Sequence, residues 1–165
     1  MTLQFTNELT PALLAAMDQS PFTAEQLAEM SSEARALVAE QAAFCRQHPV
    51  NAIYRLAVAG CLTRRGGTGV EFNAAPNQGY KYRLSNGQRV SVLTEGCTVS
   101  YPDGNTARII SSAGSRHTYK ERGVALVGSE LDNGDVIIST PQSEGMLVGR
   151  KGVPVPEDFL TAGQK

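Results

Sequence analysis

A handful of residues have types and spacings that could do chemistry. Cys45 and His48 stand one helical turn apart, as a thiolate–imidazole pair would. Yet Cys45 falls on an apolar helical stripe and His48 at a helix end, where a His is favoured beside the helix dipole. The pair is therefore expected to be structural. Arg64-Arg65-Gly66-Gly67 offers guanidinium and backbone N–H groups to an anion, but reads more readily as a solvated turn. Asp132-Asn133-Gly134-Asp135 has the acids of a calcium loop without its spacing or its distal Glu, and a turn explains it. Cys61, Cys97 and His117 would make a metal site if the fold gathered them; otherwise the thiols serve as small buried apolar groups. Tyr80, Tyr82, Tyr101 and Tyr119 are expected to pack between sheet faces rather than stack on bases. The sequence has no Gly-x-Ser-x-Gly elbow, phosphate-binding loop or His-Glu-x-x-His. No residue is assigned a catalytic role, no cofactor is expected, and the chain is not expected to be an enzyme.

Composition narrows the partners. The chain has 165 residues, enough for one domain with an appendage, and a formal net charge of −1, which removes the usual footprint of a nucleic-acid binder. The charge is unevenly spread. Residues 1–50 carry Glu8, Asp18, Glu25, Glu29, Glu33 and Glu40 against Arg35 and Arg46, whereas the remainder is mildly basic. Three cysteines at no metal-ligand spacing suggest free thiols. The N-terminus lacks the basic and apolar regions of a secretory signal, and no run is long enough to span a membrane. The expected location is the cytoplasm, with any export proceeding without a cleaved signal.

Two kinds of element must position these residues. Residues 10–48 read as helix: Thr10 caps ahead of Pro11, Thr23 forms a capping box with Gln26, and Phe22 and Leu27 form a hydrophobic staple. Leu27, Met30, Ala34, Leu37, Val38, Ala42 and Cys45 make a stripe that either packs against the rest of the chain or docks a partner. Ser31 and Ser32 are candidate breaks and Pro49 a stop. From about residue 54 short apolar runs alternate with turn chemistry. Asn86-Gly87 predicts a type I′ hairpin between 80–84 and 89–93. Pro102-Asp103-Gly104, Glu121-Arg122-Gly123 and Asp132-Asn133-Gly134 predict further turns. The fold class is thus α+β: a helical N-terminal extension (1–50), a β domain (51–145) and an extended C-terminal tail (146–165).

The β part repeats. Segments 55–67, 89–104 and 123–135 each run strand, glycine, tight turn, with Gly60, Gly96 and Gly128 at matching places. One copy cannot bury a face alone, but three can close around a common axis.

Here the sequence resembles the PAAR (Pro-Ala-Ala-Arg repeat) family. That family's Gly-Asp-x-Thr-Ser-His-Gly-Gly is similar to Gly60-Cys61-Leu62-Thr63-Arg64-Arg65-Gly66-Gly67. Its Gly-Asp-x-Val-x-Cys-Pro is similar to Gly96-Cys97-Thr98-Val99-Ser100-Tyr101-Pro102, and its later strand to Val124-Ala125-Leu126-Val127-Gly128. The resemblance covers roughly residues 54–140. It implies a small pseudo-threefold β pyramid that tips the trimeric spike of a type VI secretion system. It further implies that flanking segments, here the N-terminal helices, link an effector or adaptor. The zinc that the resemblance also implies meets substitutions: Arg65 and Tyr101 stand where His and Cys are expected, and Asn133 at the matching third place. Arg and Asn are not zinc ligands and a phenolate is an uncommon one. A different class of function stays open, a small immunity or inhibitor protein that binds a toxin one to one.

Overall fold

The structure is a computed structural model, and it describes residues 3–17, 20–75 and 77–161. Asp18 and Gln19 of the expected helical stretch and residues 162–165 of the expected tail lie outside these. The chain is α+β, with three helices followed by short antiparallel sheets. It divides into two units. One comprises Met1–Asn7, Tyr54–Leu147 and Val155–Lys165, the other Glu8–Ile53 and Val148–Pro154. The C-terminal stretch read as one tail is therefore split between them.

In the second unit, caps set the helix starts. Helix α1 (Pro11–Met17) follows Thr10, whose Oγ1 accepts from the Leu13 N–H at 3.1 Å. Helix α2 (Ala24–Glu29) begins with the full Thr23–Gln26 capping box. Helix α3 (Ser32–Gln47) is capped by Ser31 and ends at His48, ahead of Pro49. Of the expected stripe, Leu27, Met30, Ala34 and Val38 are half-buried, and Leu37, Ala42 and Cys45 are exposed. None of the three helices contains a buried residue, and Leu37 is 56% and Phe44 47% exposed. Phe44, the bulkiest apolar group of α3, stands two turns on from Leu37 and packs on the His48 ring, 4.7 Å between centroids. Strand β1 (Val50–Arg55) leads out of this unit and pairs with β11 (Met146–Arg150).

The first unit is a closed ring of β segments. Central segments 56–59, 92–95 and 124–127 bridge pairwise, Leu56 to Leu126, Val58 to Val92 and Thr94 to Val124. The Ala57 N–H donates to Ala125 O (2.9 Å), Ala125 N–H to Leu93 O (2.8 Å), and Leu93 N–H to Ala57 O (2.9 Å). The circuit closes on itself. A second layer repeats it, with Ala59, Glu95 and Val127 donating to the carbonyls of Ser91, Gly123 and Arg55. Ala57, Leu93 and Ala125 are wholly buried, as are Val58, Val92 and Leu126 beside them. Three short strand pieces thus satisfy one another's backbone groups and leave no inner edge open.

Each central segment then turns through the same step. The N–H groups of Cys61, Cys97 and Ser129 donate to the carbonyls of Val58, Thr94 and Leu126. Gly60, Gly96 and Gly128 sit third in these turns at φ of 95°, 90° and 108°, which side chains resist. Beyond the turns come three hairpins. The first joins β2 (Leu62–Thr63) to β3 (Thr68–Gly69), and the second joins β6 (Thr98–Ser100) to β7 (Thr106–Arg108). The third returns through Leu131–Asp135 to β10 (Ile137–Ser139). Their sheet runs β10-β2-β3-β6-β7, and the bridges Ile109–Leu131 and Glu130–Val136 lead from β7 back towards β10.

Two smaller hairpins feed the second and third segments: β4 (Lys81–Arg83) with β5 (Arg89–Ser91), and β8 (Thr118–Tyr119) with β9 (Arg122–Gly123). Both differ from expectation in their turns. At Asn86-Gly87 only the glycine has positive φ (87°), and its N–H donates to Leu84 O. The Asn86 side chain accepts from the Gln88 N–H, which fits a three-residue loop with the glycine as bulge rather than a type I′ pair. The I′-like turn falls instead at Lys120-Glu121, both at positive φ (52° and 68°), one residue ahead of the predicted Glu121-Arg122-Gly123. Gly123 lies in strand β9, where glycine is required because a Cβ would come within 2.1 Å of Ser112 Oγ.

Candidate functional site

The hairpin tips converge. Thr63, Tyr101 and Leu131 each close a loop by donating their N–H to Gly67, Asn105 and Asp135 carbonyls, all at 2.9 Å. Long side chains then cross between loops. Arg64 Nη2 donates to Gly134 O (3.0 Å) and Arg65 Nη1 to Asn133 O (2.9 Å), so the two arginines of the first tip grip the backbone of the third. Arginine suits this, since its planar fork reaches carbonyls at fixed geometry.

At the centre lies Asp135, fully buried. Its Oδ1 accepts from the N–H groups of Arg65 (3.1 Å) and Val136 (2.8 Å). Its Oδ2 accepts from the Tyr101 hydroxyl at 2.5 Å, and Asn133 Nδ2 donates to that same hydroxyl oxygen at 3.0 Å. The Asn133 Oδ1 in turn accepts from the Asp135 N–H. Burial alone works against ionisation, but hydrogen bonds from Thr63, Tyr101 and the two backbone N–H groups hold the carboxyl below its ordinary range. Tyr101 moves the other way, raised by burial and by its bond to the carboxylate. Every buried side-chain N and O among the described residues has a partner.

Three positions singled out in the sequence, Arg65, Tyr101 and Asn133, are thus brought to one place, joined by Asp135. The donors there are a guanidinium, an amide, a phenol and a carboxylate already engaged by backbone N–H and hydroxyl groups. Such a set does not fit a zinc ion, which needs free thiolate, imidazole or carboxylate lone pairs.

The cysteines sit elsewhere. Cys61 is buried in the core, and burial pushes its thiol up to about 12. Cys97 is half-buried, its Sγ accepting from the Thr94 N–H at 3.4 Å. Ser129, third in the series, does the same for Leu126 at 2.9 Å. Cys97 and Ser129 are therefore turn caps. His117 is exposed on the rim of a separate cleft. No three His, Cys, Asp or Glu side chains cluster for a metal among the described residues. In the helical unit, His48 Nδ1 lies 2.9 Å from Lys151 O, so that nitrogen donates there rather than receiving a proton from exposed Cys45.

The cleft, of about 530 Å³, opens beside β4 and β8 and is lined by Leu56, Tyr80, Tyr82, Arg116, His117, Val124 and Glu144 among others. The Tyr80 ring lies tilted against Tyr82 (5.7 Å) and Tyr119 (5.9 Å), and burial with its bond to Tyr80 raises Tyr82 to about 12. Three of the four tyrosines thus form a partly exposed cluster at a cleft rather than an interior layer. Only Tyr101 belongs to the apex. Sequence reasoning missed Asp135, which it left in a turn. The signal was available, because Asp135 occupies the loop-closing place held by Gly67 and Asn105 and alone carries a charge there.

Compared with protein-family models, curated proteins and solved structures, the chain matches none. No helix among the described residues is long and apolar enough to cross a membrane.

Proposed function

We propose that this chain is a non-enzymatic spike-tip protein of a type VI secretion system, its β body capping a trimeric spike. One observation carries the reading: a single chain arranges three equivalent segments in a cyclic hydrogen-bonded ring. A trimer ends in three identical surfaces around an axis, and a monomer can match all three at once only by repeating itself threefold. The hairpin tips, tied together through Asp135, would form the pointed end. The end where the central segments begin, flanked by β4–β5 and β8–β9, would meet the spike and continue its β surface. The α1–α3 segment, with Leu37 and Phe44 exposed, would link an effector or adaptor, and export would accompany the spike without a cleaved signal.

The test is to titrate the full-length protein against a spike trimer from its own cell and to weigh the complex. One copy per trimer supports the reading. Absence of binding at micromolar concentration, or three copies per trimer, overturns it. One-to-one capture of a toxin instead would make it an immunity protein.

A further inference from the structure

The tip of the β body, where the resemblance implies a metal, holds donors that do not fit one, and the same atoms do what a metal would do there. We infer that the Asp135 carboxylate is a metal-free fastener that locks the three hairpin tips to one another. Its contacts come from all three loops. Arg65 N–H, with Thr63, belongs to the first, Tyr101 to the second, and Val136 N–H to the third. A zinc ion joins loops by taking lone pairs from several ligands; a carboxylate joins them by accepting from several donors. The polarity is inverted and the topology is the same. The substitutions that remove zinc ligands supply donors or acceptors for this arrangement: Tyr101 gives a hydroxyl, Asn133 an amide that orients it, and Arg65 a backbone N–H and a guanidinium that grips Asn133 O.

The fastener is also central to the tip. Thr63 Oγ1 accepts from the Gly67 N–H at 2.8 Å, and Gly67 leaves room for Tyr101, whose Cε2 a Cβ would meet at 2.9 Å. Among the described residues, the charged groups facing this centre are Arg64 and Arg65 from the first tip, with Tyr101 a further titratable group in direct contact. Asp132, on the third loop, is turned to the Arg108 N–H.

This inference concerns the chain alone and does not rest on the identity of its partner. Thermal melts of the full-length protein at neutral pH, with and without EDTA and with added zinc, are read together with residue-resolved amide exchange. The expected result is a Tm that EDTA moves by no more than about 1 °C and zinc does not raise. Tyr101→Phe should lower it by a few degrees, and Asp135→Asn by about 5 °C or more. In Tyr101→Phe, which keeps the ring in place, the Arg65 and Val136 amides should exchange faster while those of Ala57, Leu93 and Ala125 stay protected. Should Asp135→Asn fail to fold, Tyr101→Phe alone decides. Loss of Tm on chelation, or unchanged exchange at Arg65 and Val136 in Tyr101→Phe, overturns the inference.

Discussion

Gly66 and Gly67 are neighbours in sequence, yet replacing each with Ala should destabilise the protein for different reasons and by different amounts. Gly66 has φ of +89° and nothing within 4 Å of where a Cβ would stand. The added methyl meets only its own backbone, so Gly66→Ala should cost about 1 kcal/mol, with Gly66→Asn milder because Asn tolerates that region. Gly67 has ordinary φ but no room. Its Cβ would come within 2.6 Å of Val99 Cγ1, 2.9 Å of Thr63 Oγ1 and 2.9 Å of Tyr101 Cε2. None of these can retreat easily: Val99 is wholly buried, Thr63 accepts from the Gly67 N–H, and Tyr101 is held by Asp135. Overpacking together with disturbed hydrogen bonds should bring Gly67→Ala to about 2–4 kcal/mol. Urea titration separates the two. With an m-value of about 2 kcal/mol per molar, the midpoint should fall by about 0.5 M for Gly66→Ala and about 1–2 M for Gly67→Ala. Adding Val99→Ala to Gly67→Ala should cost less than Val99→Ala costs alone, since the truncation removes the closest clash. If Gly67→Ala proves no worse than Gly66→Ala, or if the pair is additive, the packing described at the tip is wrong.

Other expectations can be checked with the same protein. Asp135 is held below its ordinary pKa, so the stability it provides is present above about pH 4 and is lost as pH falls through the native value. Tyr101 is raised, so its contribution is full below about pH 10 and is lost as pH rises through its native value. Acid melts should accordingly show Asp135→Asn converging on the wild type, and melts that keep a neutral-pH difference at low pH would contradict this. In native protein a thiol reagent should modify exposed Cys45 first and leave Cys61, buried with its thiol near 12, untouched until unfolding. Early labelling of Cys61 by mass spectrometry would refute its placement. Thr23→Ala removes the hydroxyl arm of a capping box, keeping the N–H to Gln26 Oε1 arm, and should cost about 1 kcal/mol of local helix stability, read as faster amide exchange in α2. Asn7→Ala should cost about 1–3 kcal/mol, because its side chain accepts from the Arg55 N–H and donates to Val127 O, both at 2.8 Å. A Tm equal to wild type would show that the N-terminal segment does not hold this edge.

Much of the architecture was legible because it is written in local chemistry. Thr10 and Thr23 cap helices by side-chain bonds to residues three positions on, which spacing alone reveals, and Ser31, read as a break, caps α3 in the same way. Gly60, Gly96 and Gly128 mark turns because their backbone demands a glycine. What the sequence hid is non-local. Lys120-Glu121 adopts positive φ without a glycine or asparagine, so the surrounding strands, not the turn residues, impose it. Gln4, Phe5 and Asn7 join the β body through bonds to Gly60, Thr140, Arg55 and Val127, partners no periodicity announces. At the apex, Arg65, Tyr101 and Asn133 were visible as substitutions, but what united them was a carboxylate from a loop with an ordinary turn composition. The helical stripe left packing and docking both open for a plain reason: spacing shows which residues share a face, not what covers it.

The cyclic circuit through Ala57, Leu93 and Ala125 has a bearing on how the protein comes into being. A circuit has no partial form: two of its members leave two open edges and no enclosed interior. During synthesis the first segment is finished early but must wait for Val124–Val127, and then for β10, before it can be shielded. The chain should therefore acquire its fold late and all together, at the slow pace of folds built on distant pairings. A ribosome stalled shortly before Val124 would display not two thirds of the β body but none of it.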